Sequence, residues 1–406
     1  MDRQSAMTGE HADNAPPNAG DDAWAAMRAR MPIAETWAYF DHAAVAPISG
    51  PAREAIEAWS REAAHTGAAA WPRWAQAAEQ TRAVAAEILN AQASEIALVP
   101  NTTSGITLVA EGFPWRSGDN IVVPAGEFPS NLYPWMNLAD RGVQTRRVAM
   151  DGEPGTAAML DVDRLLDACD DRTRLISLSW VGYVTGWRVN VKQVVEAAHR
   201  RGVLVFLDAI QGLGVFPLDA AETGVDFLAA DGHKWMLGPE GAGLFYCRQE
   251  HLARLRPLGV GWNSVVQGHD FGRIDLTLRD EAARYEGGSQ NLAGVLALGA
   301  SLRMLRDFGL GPNTSAVGER VLEISELACR RIEQIGGKVV SRRTAEHRSG
   351  IVAFEMPGRD PQAERRRLLK RGVAVNSRGG WLRLSPHAYN NAEDVERLAE
   401  GLAAES

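Results

Sequence analysis

VLVFLDAIQGLG (203–214) is followed, after a short spacer, by VDFLAADGHKWMLGPEGAGLFY (225–246). In each stretch an apolar run ends on a polar group, Asp208 in the first and Asp231-Gly232-His233-Lys234 in the second. Runs without polar alternation suit strands covered on both faces, as in a mainly parallel sheet. A carboxylate after five apolar residues needs a partner or a purpose. In open parallel sheets ligands bind outside the carboxyl ends of the strands, and Asp208 and Lys234 both fall there.

Working outward, further short apolar runs read as strands: EIALVP (95–100), NIVVPA (120–125), RLISLSW (174–180) and GLFYCR (243–248). Helical candidates lie between them, such as VKQVVEAAHRRG (191–202), with Gly202 as its stop. This alternation predicts an α/β fold with a mainly parallel central sheet and helices on both faces. Residues 1–20 read as a disordered tail and 21–285 as a large α/β domain that includes an N-terminal helical segment. Residues 286–406 mix helices with the short strands KVVS, GIVAFEM, AVNS and WLRLS, predicting a smaller C-terminal α+β domain.

The chain has 406 residues, 45% hydrophobic and 23% charged, with a net charge of −8. Such a chain can bury a core, and its acidic balance argues against nucleic-acid or anionic-membrane partners. Neither a membrane-length apolar run nor a secretory signal is apparent, so a cytoplasmic protein is expected. Cys169, Cys247 and Cys329 are far apart and suggest neither disulfides nor a metal site. Four lysines stand against 39 arginines. Where arginine serves as the general cation, a lysine at a strand end suggests a need for its primary amine.

Asn101-Thr102-Thr103-Ser104-Gly105 follows the first strand and opens a helix, a seat for an anion such as phosphate. A lysine amine, an aspartate on a neighbouring strand and a hydroxyl-lined helix start together match the needs of pyridoxal 5′-phosphate. The lysine forms a Schiff base, and the aspartate keeps the pyridine nitrogen protonated. GPEGAG (238–243) does not open a helix after a strand, so it is no dinucleotide fingerprint.

LVFLDAIQGLG and FLAADGHKWMLGPEGAGLFY closely resemble the core of the class V aminotransferase family, which includes cysteine desulfurases, kynureninases and isopenicillin N epimerases. The resemblance runs from Tyr39-Phe40-Asp41-His42-Ala43-Ala44 to LRLSPHAYNNAEDVERL. It implies fold type I of the pyridoxal-phosphate enzymes, a homodimer and an amino acid as the small-molecule substrate. By the resemblance, Lys234 is the Schiff-base lysine, Asp208 the pyridinium partner and Gln211 a neighbour of the phenolic oxygen. Thr102, Thr103 and His233 contact the phosphate, and Ser289 reaches the phosphate of the partner subunit. Phe128 stacks on the ring where desulfurases have histidine. Arg383 grips the substrate α-carboxylate, a task suited to a planar bidentate donor.

The chain also departs from its relatives. Asn376 to Arg383 holds no nucleophilic cysteine and leaves little room for a mobile loop, which argues against a persulfide relay. Gly182 stands where relatives often have Asn or Gln. Asp231 replaces a common phosphate-binding serine and is expected to turn away or bond neighbouring backbone. The reading is amino-group transfer through an external aldimine, with Lys234 taking the α-proton. The alternatives are a C–S lyase without a catalytic cysteine and an epimerase whose second acid is Tyr183, His42 or His387. A non-catalytic binding dimer ranks last, because a scaffold has no use for both Lys234 and Asp208.

Overall fold

The computed structural model describes residues 21–152, 157 and 159–404, so the expected tail lies outside the described residues. Its first eight strands are β1 (Ala38–Tyr39), β2 (Ile96–Val99), β3 (Asn120–Pro124), β4 (Gln144–Val148), β5 (Thr173–Ser179), β6 (Leu204–Asp208), β7 (Phe227–Asp231) and β8 (Gly243–Cys247). Seven of them form one sheet in the order β2-β8-β7-β6-β5-β3-β4. The pairings from β4 across to β7 are parallel, and only β8 runs against its neighbours. Six strands therefore end at the same edge.

Alternate residues of these strands feed two cores, which explains the continuous apolar runs. Ile121, Leu175, Phe206, Phe227 and Phe245 pack on one face with Ile106 and Trp135. Val122, Ile176, Val205, Leu228 and Leu244 pack on the other with Val194 and Leu298. The strand pattern missed β4, whose sequence QTRRV is polar and largely accessible. It is an edge strand held by β3 alone, so hydrogen bonding rather than burial makes it a strand.

The C-terminal part holds a four-stranded antiparallel sheet of β9 (Lys338–Val339), β10 (Val352–Glu355), β12 (Asn376–Arg378) and β13 (Trp381–Leu384). A short strand, β11 (Val373–Ala374), pairs with β1. A third core joins Phe40 to Phe354, Leu382 and Leu384, so the N-terminal segment is tied to the C-terminal sheet. Conversely, the helix Leu292–Asp307 packs against the helices Gly50–Thr66 and Trp71–Leu89. The turn between β12 and β13 has only two residues, Gly379 and Gly380, both at positive φ (58° and 87°). A two-residue turn of this kind demands φ > 0 at both centres, which glycine supplies without strain.

Candidate active site

The strand register sets the site. Ser179 of β5 pairs with Asp208 of β6, and Asp208 pairs with Ala229 of β7. The segments that continue these strands therefore face one another at the carboxyl edge. They line a cavity of about 260 Å³ whose walls include Thr102, Phe128, Tyr183, Asp208, Lys234 and Arg383. Thr103, Gln211, Asp231, His233 and Arg378 add to the polar lining, as do Asn101, Ser130 and Ser179. Of the cofactor- and substrate-binding residues expected from the sequence, Ser289 alone lies elsewhere, in a separate depression with Trp71, Trp262 and Arg279.

Lys234 is held by the turn after β7. Burial, only partly opposed by Asp208, pushes its amine down to about 8. Its Nζ stands 5.8 Å from the centre of the Phe128 ring. Asp208 is buried, and that burial pushes its carboxyl up to about 6 against the pull of the Ile210 amide and Lys234. The Ile210 N–H donates to Oδ1 at 3.1 Å, and no other donor reaches this carboxylate among the described residues. A partly desolvated amine facing a buried acid is the kind of perturbed pair found at functional sites.

Thr102 and Thr103 open the helix Thr102–Gly112, capped by Asn101, whose Oδ1 accepts from the Ser104 amide at 2.8 Å. The first N–H groups of a helix have no partner within it, so this end offers donors to an anion. Gly105 lets the helix press onto β7, because a Cβ there would lie 2.6 Å from that of Ala229. The Asp231 amide donates to Thr102 Oγ1 at 2.9 Å, tying the helix start to the segment that carries Lys234. Asp231 is a wall residue of the cavity, and its carboxylate bonds no neighbouring backbone among the described residues: Oδ2 lies 2.9 Å from Nδ1 of His233, and Oδ1 is buried without a partner.

Gln211 lines the cavity but is already engaged: its amide donates to the Ala43 carbonyl at 3.0 Å and accepts from the Trp235 indole at 2.8 Å. One N–H of the amide is left for a ligand. Phe128 is half-exposed and packs edge-to-face on Tyr183, ring centres 5.3 Å apart. Arg383 is 1% exposed, so the cavity is its one access to a ligand. Its Nη1 donates to the Tyr183 carbonyl at 2.7 Å, its Nη2 to Asp41 at 3.3 Å, and its buried Nε has no partner.

Two groups escaped the sequence reading. Asp41 accepts from both Arg383 and Asn376, and so holds the guanidinium in place. Glu127 is buried behind Phe128, where burial pushes its carboxyl up to about 7 despite bonds from Ser179 and Asn131. Asp41 meets both partners across the fold, and Glu127 meets Ser179 the same way, so neither contact is signalled locally. His42 and His387 are fully buried outside the cavity, and burial drives both well below the usual histidine range. Each is a neutral ring bonded to backbone, His42 to Ser385 and His387 to Trp235. Neither stands where a second acid would be needed, which leaves Tyr183 of the three. The cysteines are likewise away from the cavity, and burial raises each thiol.

A mainly parallel sheet with a buried lysine and aspartate converging at its carboxyl edge is the architecture of fold type I pyridoxal-phosphate enzymes. The family model for aminotransferase class-V matches residues 38–398, and the chain belongs to that family. A probable cysteine desulfurase of Methanothermobacter thermautotrophicus is 30% identical over 397 residues, covering 93% of this chain and 96% of the relative. A cysteine desulfurase of Enterobacter sp. is 29% identical, covering 80% and 82%. Among solved structures, C-DES carrying glycine covalently linked to its PLP cofactor superposes with a TM-score of 0.83 at 22% identity, covering 93% of this chain and 98% of the other. The cysteine desulfurase CsdA of Escherichia coli gives 0.81 at 25% identity, covering 93% and 97%.

Proposed function

We propose that this chain is a pyridoxal 5′-phosphate enzyme acting at the α-carbon of an amino acid, with amino-group transfer as its reaction. The carrying observation is the convergence of Lys234, Asp208 and the buried Arg383 on one cavity. The residues fit the cofactor: Asp208 keeps an oxygen free of protein donors, the helix start at Thr102 and Thr103 offers N–H and O–H groups, and Arg383 Nε awaits an acceptor. When bound, the cofactor supplies an aldehyde that condenses with amines and a ring that withdraws electrons from the α-carbon.

The roles of the chain's own groups follow from their chemistry. Lys234 Nζ, eased toward neutrality by burial, is the attachment point and, once released, the base that takes the α-proton. Asp208 holds the proton on the ring nitrogen. Thr102, Thr103 and His233 seat the phosphate. Phe128 covers the ring, Gln211 gives its remaining N–H to the phenolic oxygen, and Arg383 binds the α-carboxylate. Ser289 contributes to the other subunit's phosphate seat in a homodimer, and the cytoplasm is the proposed compartment. No described helix is long and apolar enough to cross a membrane.

A second reading is C–S bond cleavage with sulfur released into solution, favoured by the desulfurase names of the relatives. The lack of a cysteine in the cavity speaks against sulfur held on the protein. Incubating the holoenzyme with an amino-acid panel in deuterated water separates the readings. Keto acid with the aminated cofactor is the expected result. Pyruvate with sulfide or a thiol would establish the lyase instead, and racemised, deuterated substrate would establish epimerisation through Tyr183.

A further inference from the structure

Beside the cavity lies a second chamber of about 170 Å³, and Ser179 and Tyr183 belong to the walls of both. We propose that this chamber takes the substrate side chain, so that the preferred amino acid carries an aromatic ring or an apolar group of similar bulk. The proposal rests on the amino-acid reading above and adds the substrate class to it.

The walls argue for an apolar occupant. Met150, Leu160, Val184, Trp187, Val189 and Trp381 give the lining its apolar side chains. An apolar cavity of roughly 150 Å³ is large enough to hold benzene, so one ring fits here. Among the described residues the one carboxylate of the wall is that of Glu127, whose oxygens both accept from Ser179 and Asn131, leaving little for a charged side chain. Placing an unpaired charge in such surroundings is costly.

Gly182 gives the independent observation. Its φ is not in the left-handed region, so the backbone does not require glycine there. A Cβ would meet its nearest atom, the Trp187 carbonyl oxygen, at 3.7 Å, an ordinary contact. Glycine at this wall thus serves neither conformation nor close packing; it leaves volume in the chamber. Tyr183, whose carbonyl accepts from Arg383, is a wall residue of both spaces, so a carboxylate held at Arg383 lies next to a residue that the cavity and the chamber share.

The test uses cofactor-loaded enzyme and two readouts. Rates of spectral change with L-phenylalanine, L-alanine, L-cysteine and L-aspartate give kcat/KM, and calorimetry gives the affinity for 3-phenylpropionate, which has no amine to react. We expect phenylalanine to exceed alanine, cysteine and aspartate by at least tenfold in kcat/KM. Gly182→Leu, and independently Val184→Phe, should weaken 3-phenylpropionate binding at least tenfold and lower the phenylalanine rate at least tenfold more than the alanine rate. A preference for aspartate, drawn by the exposed Arg378, would overturn the proposal, as would cysteine or alanine as best substrate. Equal 3-phenylpropionate binding by the wild type and both variants would do the same. If no amino acid changes the spectrum while the analogue binds and the variants lose it, the chamber stands and the reading of the reaction falls.

Discussion

Burial acts in opposite directions on Lys234 and Asp208, lowering the amine to about 8 and raising the acid to about 6. Below pH 8 the neutral fraction of the amine falls about tenfold per pH unit, because only the unprotonated form attacks an aldehyde. Cofactor attachment to the cofactor-free protein, followed by absorbance, should therefore speed up with pH and level off above about 8. A rate independent of pH from 6 to 9 would contradict this assignment. Asp231 places a carboxylate beside the proposed phosphate seat, where like charges a few ångströms apart repel even in a partly screened site. Asp231→Ser should lower the cofactor Kd about tenfold, read by fluorescence titration. Asp41 positions Arg383, so Asp41→Asn should raise the substrate KM about tenfold while kcat changes less than threefold. Lys234 and Asp208 were legible because each ends an apolar run. Asp41 and the Glu127–Ser179 contact were not, because these partners come from distant parts of the chain; the His233–Asp231 contact is local, but the sequence does not show how the turn after β7 brings the two side chains together.

Strands buried on both faces announce themselves in sequence, whereas β4 does not. The helix Trp71–Leu89 shows how an element is fixed by a contact that no local pattern reveals. Its Arg82 makes a buried bidentate pair with Glu286, at 2.5 and 3.1 Å, and also donates to the Ile96 carbonyl of β2. Glu286 in turn accepts from the Leu98 amide. Removing one partner of a buried pair costs about 3–5 kcal/mol; Arg82 keeps a second, accessible partner in Glu79, at 2.9 and 3.0 Å, which softens the loss of Glu286. Glu286→Ala should therefore lower the urea midpoint markedly, while the double variant Arg82→Met, Glu286→Leu should recover most of the loss. Equal damage in single and double variants would show that packing, not charge, dominates there. The two-residue turn at Gly379-Gly380 also bears on function: it shortens the segment before Arg383 to a tight hairpin.

At the scale of the molecule, Leu258, Val260, Val266, Phe271, Ile274 and Leu276 expose apolar side chains along one segment. Exposed apolar side chains concentrated in one segment are what an association surface offers, and the proposed homodimer would cover them. Light scattering should give about 88 kDa, twice the 44.0 kDa chain, and Ile274→Asp with Phe271→Asp should shift it toward the monomer. The overall α/β class was readable from the spacing of apolar runs, but the sharing of cores between the N-terminal segment and the C-terminal sheet was not. Long-range pairing of β1 with β11 leaves no trace in either short strand. What unites the scales is a single side chain at the carboxyl edge of the sheet. Borohydride reduction of the cofactor-loaded protein, followed by peptide mass spectrometry, tests it directly. A reduced phosphopyridoxyl group on Lys234, absent with a colourless Lys234→Ala, is the predicted result; a modified Lys192, Lys338 or Lys370 with Lys234 untouched would contradict it.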